Sequence, residues 1–141
     1  MGKIIALVNQ KGGVGKTTSS INLAASLGVL KRRVLLVDLD PQGNSTTGIG
    51  IDKAEIKKSV YDLLIDNATL EEVVVKTKFK NLCAIPATIN LAGADIELME
   101  KSRLEPGFVK GGQLKKYLSQ AKEVFDYISF LIANSQLKMQ I

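Results

Sequence analysis

The amino-acid sequence predicts a single α/β domain in which a parallel sheet carries helices on both faces. Two continuous apolar runs, at residues 3–8 and 33–37, are typical of strands that are buried on both sides. Between them, apolar residues recur at helical spacing over residues 17–30. Strand, helix and strand in this order predict a right-handed βαβ unit.

The rest of the chain continues the alternation of strands and helices. Polar and glycine-containing residues 41–58 predict a mobile loop, and residues 105–112 predict a second loop. Hydrophobic spacing predicts helices at 59–65, 69–76, 90–101 and 113–125, and strands at 81–85 and 127–132. Because no repeat or linker interrupts the pattern, we expect one domain over residues 1–141.

Composition excludes several classes of protein. Hydrophobic residues make up 45% of the chain, which is typical of a globular protein. One cysteine, Cys83, and no histidine exclude a disulfide framework and a Cys/His metal cluster built by this chain alone. The short apolar run at residues 4–8 predicts neither a signal peptide nor a membrane span, so we expect a cytoplasmic protein.

The formal net charge of +5 permits an acidic partner such as nucleic acid. The lysines are nevertheless scattered, with few aromatic residues between them. This pattern favours solvated helix faces for any given cluster.

The stretch QKGGVGKTTSS, residues 10–20, predicts a phosphate-binding loop although Gln10 stands where the usual pattern has its first glycine. A strand leads into three glycines, whose backbone N–H groups can turn inward to form an anion site. The following helix N-terminus adds partial positive charge. Lys16 can reach the β- and γ-phosphates, and Thr17 is placed to ligate Mg²⁺. The alternative is a glycine-rich turn with surface lysines.

Lys11 and two later stretches carry a family resemblance. The loop K-G-G-x-G-K-[ST] matches residues 11–17, VDLDPQGNSTTG follows at 37–48, and IPATINLAGADIEL follows at 85–98. With these motifs in order, the chain resembles the deviant-Walker ATPases, and within them the ParA/Soj-type chromosome and plasmid partition proteins, over about residues 1–128. The resemblance implies a P-loop NTPase-like parallel sheet with helices on both faces.

The resemblance also implies roles for individual residues. Lys11 would reach across a dimer to the partner's nucleotide, much as an arginine finger does. Asp40 would position or deprotonate the attacking water, so the implied catalytic residues are Lys11, Lys16 and Asp40, and Thr17 is the implied metal ligand. The residues implied to wrap the nucleotide phosphates are Gly12, Gly13, Val14, Gly15, Lys16, Thr17 and Thr18.

Two neighbouring features have two interpretations each. Asp38 either supports the Mg²⁺ shell through water or is a polar strand terminus. Residues 42–47 form either a loop that senses the γ-phosphate or an ordinary surface loop.

The cofactors implied by the resemblance are ATP and Mg²⁺. Family members form an ATP-dependent homodimer that associates with non-specific DNA on the nucleoid. A ParB/Spo0J-type partner protein stimulates hydrolysis, and the cycle segregates chromosomes or plasmids. No membrane partner is implied.

The sequence departs from the family after residue 128. It reads SFLIANSQLKMQI, so that Leu131 occupies the place of an acid that anchors the Mg²⁺ water shell, and residues 129–141 form a divergent tail. Because the chain is little more than half a family member's length, we expect the N-terminal half of the domain only, incomplete at its C-terminal side. YISFLI at 127–132 is then expected to be an exposed edge or face.

Two hypotheses of function follow from this departure. The first is a ParA/Soj-type ATPase whose nucleotide binding is kept and whose hydrolysis is in question. The alternative is an inactive truncated fragment with no ATPase cycle, acting at most as a nucleotide-binding or interaction remnant.

Three related classes fit the sequence less well. A redox relative similar to the nitrogenase iron protein needs cluster cysteines that Cys83 alone does not supply. A MinD-like membrane role needs an amphipathic C-terminal helix, and residues 129–141 show no such stripe. A small-molecule P-loop kinase would lack Lys11 and the DPQGN stretch.

Overall fold

A five-stranded sheet forms the centre of the domain, with the strand order β1-β5-β2-β4-β3. The computed structural model of the chain describes residues 2–8, 14–109 and 111–132. The long strands run parallel to their neighbours, whereas β3 is antiparallel to β4. The strands are β1 (Lys3–Val8), β2 (Val34–Leu39), β3 (Val75–Lys76), β4 (Leu82–Ile85) and β5 (Tyr127–Ile132). The predicted parallel α/β sheet is confirmed.

Helices cover both faces of the sheet, as expected from the continuous apolar strands. One face packs against α1, and the other packs against the layer formed by α3, α5 and α6. The helices are α1 (Val14–Val29), α2 (Asn44–Gly48), α3 (Val60–Leu64), α4 (Leu70–Val73), α5 (Ala94–Leu104) and α6 (Gly112–Val124), with 3-10 turns at Lys53–Glu55 and Ile89–Gly93. Within the described ranges, none of these helices has the length and apolar character needed to cross a bilayer.

Strand β2 shows how alternation divides the core between the two faces. Val34 and Leu36 belong to the cluster under α1, whereas Leu35, Val37 and Leu39 belong to the larger cluster under the other helices. All six residues of this strand are buried. A strand buried on both sides is what a continuous apolar run predicts in a parallel sheet.

Two expectations about the positions of β1 and β5 in the sheet are wrong. Strand β1 has the predicted bounds, but it lies at one edge of the sheet and is not fully buried: Ile4, Ile5 and Leu7 are half-buried and Ala6 is exposed. Strand β5 also has the predicted bounds, but it lies between β1 and β2 with its central residues buried. Among the described strands the sheet therefore ends at β1 and β3, and YISFLI is internal, because strand order depends on long-range pairing that a local pattern does not encode.

Several local predictions also need correction. The predicted loop at 41–58 contains α2 and the 3-10 turn Lys53–Glu55. The helix predicted at 69–76 ends at Val73, because the chain then pairs with β4 as the short strand β3. The helix predicted at 90–101 begins as the 3-10 turn Ile89–Gly93 and continues as α5.

Helix α1 approaches the turn before β4 closely at Gly28. A Cβ atom at this position would lie 2.1 Å from the backbone oxygen of Lys80. The side chain of Asn81 donates a hydrogen bond of 3.0 Å to the Gly28 carbonyl oxygen across the same contact. Glycine is therefore required here for close packing of helix against sheet.

We expect Gly28→Ala to destabilise the fold by about 1–3 kcal/mol, because the added methyl group overlaps a backbone carbonyl and forces α1 away from the sheet. Urea unfolding of the two proteins measures this difference. Gly93→Ala is the matched control, since its Cβ would meet nothing closer than a Glu97 side-chain oxygen at 3.7 Å. Equal loss of stability in both variants would contradict the requirement for glycine at position 28.

Candidate functional site

The candidate site lies at the carboxyl edge of the parallel strands. Since β1 and β2 run in the same direction as β5, the end of β2 and the beginning of α1 lie at the same edge of the sheet. Crevices at this edge are where open α/β sheets place ligands. Thr17 is half-buried in the first turn of α1, where the helix N-terminus contributes partial positive charge.

Asp38, in β2, is a buried carboxylate held by three hydrogen bonds. Its Oδ1 accepts from the Asp40 backbone N–H at 3.0 Å. Its Oδ2 accepts from the backbone N–H of Thr46 at 2.8 Å and from the Thr46 hydroxyl at 2.7 Å. Burial, with a smaller contribution from the nearby charge of Asp40, raises the pKa of Asp38 to about 6 against the opposing effect of these hydrogen bonds.

Thr46 links the end of β2 to the segment that follows β4. Its hydroxyl donates to Asp38 and accepts a hydrogen bond of 3.0 Å from the backbone N–H of Ala87. Thr46 and Ala87 are both buried. This bridge, which we call the Asp38–Thr46–Ala87 network, fixes α2 against two strand ends at once, and sequence reasoning did not find it.

Asp40 is the buried carboxylate just beyond β2, and it organises the loop that follows. Its Oδ1 accepts from the Gln42 backbone N–H at 2.9 Å, and its Oδ2 accepts from the Asn44 side-chain amide at 2.9 Å. The backbone N–H of Gly43 donates to the Asp40 carbonyl oxygen at 2.8 Å. Asp40 is therefore positioned at the carboxyl edge by the DPQGN stretch itself.

Lys53 closes the outside of this loop. Its ammonium donates to the Gln42 carbonyl oxygen. Gly43 adopts a left-handed backbone conformation, and a Cβ there would lie 2.8 Å from the Lys53 side chain. Sequence reasoning missed Lys53, because a lysine in a polar segment has no motif spacing that ties it to a loop eleven residues upstream.

The residues that the sequence predicted for the site fall into three groups. Asp38, Asp40 and Thr17 lie at the expected edge of the sheet. Lys11, Gly12 and Gly13 lie outside the described residues. Val14, Gly15 and Lys16 open α1, and Thr18 follows Thr17 in the same helix with an exposed side chain. The roles implied for these residues remain predictions.

The chemistry of the described donors fits a nucleotide-bound Mg²⁺ only in part. Mg²⁺ is commonly held by one or two carboxylates or hydroxyls together with waters and phosphate oxygens, and Thr17, Asp38 and Asp40 offer such oxygens. Across the described ranges, no group of three or more acidic, cysteine or histidine side chains is placed to hold a metal ion without a phosphate ligand.

Leu131 is fully buried in β5, in register with Leu7 on one side and Asp38 on the other. The position at which the resemblance implied a metal-anchoring acid therefore holds an apolar side chain in the sheet. The two buried carboxylates are contributed by β2 and the residues just beyond it.

Comparisons with known proteins agree with this architecture. A family model for an AAA domain matches residues 2–135. The sporulation initiation inhibitor protein Soj of Bacillus subtilis is 52% identical over 128 residues, which are 91% of this chain and 48% of that protein. The chromosome-partitioning ATPase Soj of Treponema pallidum is 46% identical over 91% of this chain and 47% of its own length. The chain thus spans about half the length of the curated relatives it matches.

A solved structure of cobyrinic acid a,c-diamide synthase from Mycobacterium smegmatis with bound ADP and magnesium superposes with a TM-score of 0.83. The two proteins are 34% identical, and the match covers 97% of this chain and 54% of that one. Fold and site together define a P-loop NTPase-like α/β domain. The chain belongs to the AAA-domain family, and within it to the ParA/Soj-type partition ATPases.

The pKa of Asp38 gives a prediction for the pH dependence of stability. Because the folded-state pKa, about 6, lies above the ordinary value of 3.8, the folded state binds more protons than the unfolded state between these pH values. The contribution of Asp38 to the stability should therefore fall by roughly 2–3 kcal/mol as pH rises from about 4 through about 6, and it should then level off.

Urea unfolding of the wild type and of Asp38→Asn at a series of pH values measures this contribution, because the other titrating groups cancel in the difference between the two proteins. Asn also loses the acceptor for the Asp40 N–H, but that loss does not depend on pH. A stability difference that stays constant from pH 4 to pH 7 would contradict the raised pKa.

A second prediction concerns the Asp38–Thr46–Ala87 network. We expect Thr46→Val to destabilise the protein by about 2–3 kcal/mol, because it leaves the Ala87 N–H and a buried carboxylate each short of a hydrogen bond. Thr47→Val is the matched control, since Thr47 is the exposed neighbour in the same helix. Chemical unfolding measures the stability of both variants. Similar unfolding midpoints for the two would count against a structural role for the Thr46 hydroxyl.

Proposed function

We propose that this chain is the nucleotide-binding part of a ParA/Soj-type partition switch and that it binds ATP with Mg²⁺. The observation that carries the proposal is the position of Asp38 and Asp40, two buried carboxylates at the carboxyl edge of the sheet where α1 begins. A helix N-terminus that follows K-G-G-V-G-K-T attracts phosphate, and the carboxylates complement a bound Mg²⁺. The ADP and magnesium in the synthase structure support this proposal.

In this proposal Lys16 neutralises the β- and γ-phosphates and Thr17 ligates Mg²⁺. Residues 12–18 wrap the phosphates. Asp40 positions the attacking water, which requires its hydrogen bonds with Gln42 and Asn44 to rearrange when the γ-phosphate binds. Lys11 reaches the nucleotide of a second ATP-loaded subunit.

We propose weak hydrolysis for this chain on its own. Leu131 places no carboxylate opposite Asp38, so the water shell of Mg²⁺ has fewer anchoring groups at this position. The chain also matches only about half of its relatives. Association with non-specific DNA, the ParB-type partner, the ATP-dependent homodimer and a location at the nucleoid in the cytoplasm belong to the proposal for the whole switch.

The deciding measurement is calorimetry of Mg²⁺-ATP binding to the 141-residue chain and to its Lys16→Ala variant. We expect the wild type to bind and Lys16→Ala to bind roughly 10- to 100-fold more weakly, because the variant loses charge-assisted hydrogen bonds of about 1.5–3 kcal/mol to the phosphates.

Lys80→Ala is the control for loss of one positive charge, since Lys80 is exposed before β4, at the opposite edge of the sheet. Its affinity should equal that of the wild type. Absence of wild-type binding would instead favour the alternative, an inactive fragment with no ATPase cycle, and equal binding by all three proteins would place the nucleotide elsewhere.

A further inference from the structure

A groove opens at the amino edge of the sheet, opposite the candidate site. Its volume is about 400 Å³, which lies within the range of about 300–1,000 Å³ that is usual for ligand pockets. Arg33, Asn81 and Phe125 line it, and they stand just before β2, β4 and β5. The groove therefore shares no residue with the site at the carboxyl edge.

One wall of the groove is the turn between β3 and β4, and this turn is held by its own hydrogen bonds. The Thr77 backbone N–H and hydroxyl both donate to the Leu82 carbonyl oxygen, at 3.2 and 2.7 Å. The backbone N–H of Phe79 donates to the Thr77 hydroxyl at 3.1 Å. The Asn81 side chain joins the turn to α1 through the Gly28 carbonyl oxygen. A wall fixed in this way loses little entropy when a ligand binds.

The inside of the groove is apolar. Leu82 is buried, whereas Cys83 and Phe125 are half-buried and pack against the larger core cluster. Val124, the last residue of α6, lines the opposite wall with 51% of its surface exposed. Covering such surface with an apolar side chain of a ligand is favourable. The floor of the groove therefore fits an apolar anchor.

Two cations stand beside this apolar floor. The guanidinium of Arg33 donates to both carboxylate oxygens of Asp126, at 3.2 and 3.4 Å, and this interaction holds the pKa of Asp126 below its usual value. A guanidinium has five N–H donors, so further donors remain on a side chain that is 62% exposed. Lys76 is exposed, and the described part of the chain provides no ion pair for it. Both cations can therefore bind a carboxylate of a ligand.

The positive charge continues beyond the groove. Arg32 is exposed, and its charge also lowers the pKa of Asp126. Lys80 is exposed in the turn between β3 and β4. The acids beside the end of α6 are Glu123 and Asp126, and Asp126 is already paired with Arg33. Lysines and arginines that are scattered in the sequence are thus gathered by the fold around one apolar groove.

We propose that this groove docks an extended acidic segment of a partner protein, with an apolar side chain on the floor and carboxylates at Arg33 and Lys76. Charge complementarity of this kind steers association and selects the partner. An open groove with cations along its rim suits an extended polypeptide, because the chain can place several carboxylates at successive positions.

Nucleic acid fits this surface less well. The phosphate backbone would meet the cations, but it presents no apolar side chain to the floor formed by Leu82, Val124 and Phe125. An acidic peptide with an apolar residue uses both parts of the groove. The proposal concerns a surface away from the nucleotide, so it does not depend on ATP binding.

The test begins with selection of random short peptides, displayed on phage, against the 141-residue chain. We expect the selected peptides to be enriched in Asp and Glu next to Leu, Ile or Phe. Fluorescence anisotropy then measures the affinity of the peptide selected most often. Its affinity should fall as salt is added, because salt screens the attraction between exposed charges.

Two pairs of variants locate the peptide. Lys76→Gln removes a charge beside the groove, and Lys115→Gln removes one from an exposed lysine near the start of α6. Val124→Ser removes apolar surface from the wall, and Val29→Ser does the same at the exposed end of α1. We expect each groove variant to weaken binding by roughly three- to tenfold and each control to bind as the wild type does.

Urea unfolding checks that the variants remain folded. The proposal is overturned if no peptide is selected, if the selected peptides show no excess of acidic residues, or if the groove variants bind as tightly as their controls. It is also overturned if a short DNA duplex of random sequence displaces the peptide and its own binding depends on Lys76 but not on Val124. No readout involves nucleotide, so failure here leaves the ATP-binding proposal unaffected.

Discussion

The arrangement of the candidate site depends on keeping the Asp38 carboxylate buried in the sheet. An isolated buried carboxylate is costly, and Asp38 is stabilised by donors from Thr46 and from the Asp40 backbone. These donors come from a segment that has no pairing partner in the sheet. The hydrogen bonds that Asp38 accepts from Thr46 therefore hold the short helix α2 against the end of β2. The Thr46 hydroxyl extends this constraint to Ala87 after β4.

The loop between Asp40 and α2 is organised differently. Asp40 is engaged by groups only two and four residues along the chain, at Gln42 and Asn44, and Lys53 covers the outside of the turn. Local hydrogen bonds of this kind can exchange without disturbing the core. The site thus joins a fixed part, held by Asp38 and Thr46, to an adjustable part that carries the proposed water-positioning carboxylate.

The sequence predicts the pieces of the fold that depend on local pattern and misses those that depend on distant partners. The bounds of β1 and β5 agree with the prediction because both strands are continuous apolar runs between polar residues. Helix α2 was missed because Asn, Ser and Thr are weak helix formers, and it exists because Asp38 binds Thr46. The sequence predicted a fully buried β1 and an exposed β5, whereas the structure has β1 at an edge of the sheet and β5 inside it. The residues of a strand do not encode which strands become its neighbours. In the site, the motif led to Asp38 and Asp40, whereas Ala87 joins the network from 41 residues away.

Leu131 also affects the electrostatics of the site. In register with Asp38 on adjacent strands, it stands on the same face of the sheet at a separation of about 5 Å. A second carboxylate there would face a group whose pKa burial already raises to about 6, and the two like charges would repel in a poorly hydrated place. Protonation of one carboxylate or a bound cation would be needed to offset that repulsion. Leucine removes the repulsion and adds apolar packing next to Leu7, so the sheet can hold Asp38 ionised without a metal ion between β2 and β5. Leucine at position 131 thus weakens the case for rapid hydrolysis, and it also makes the metal-free fold less costly to form.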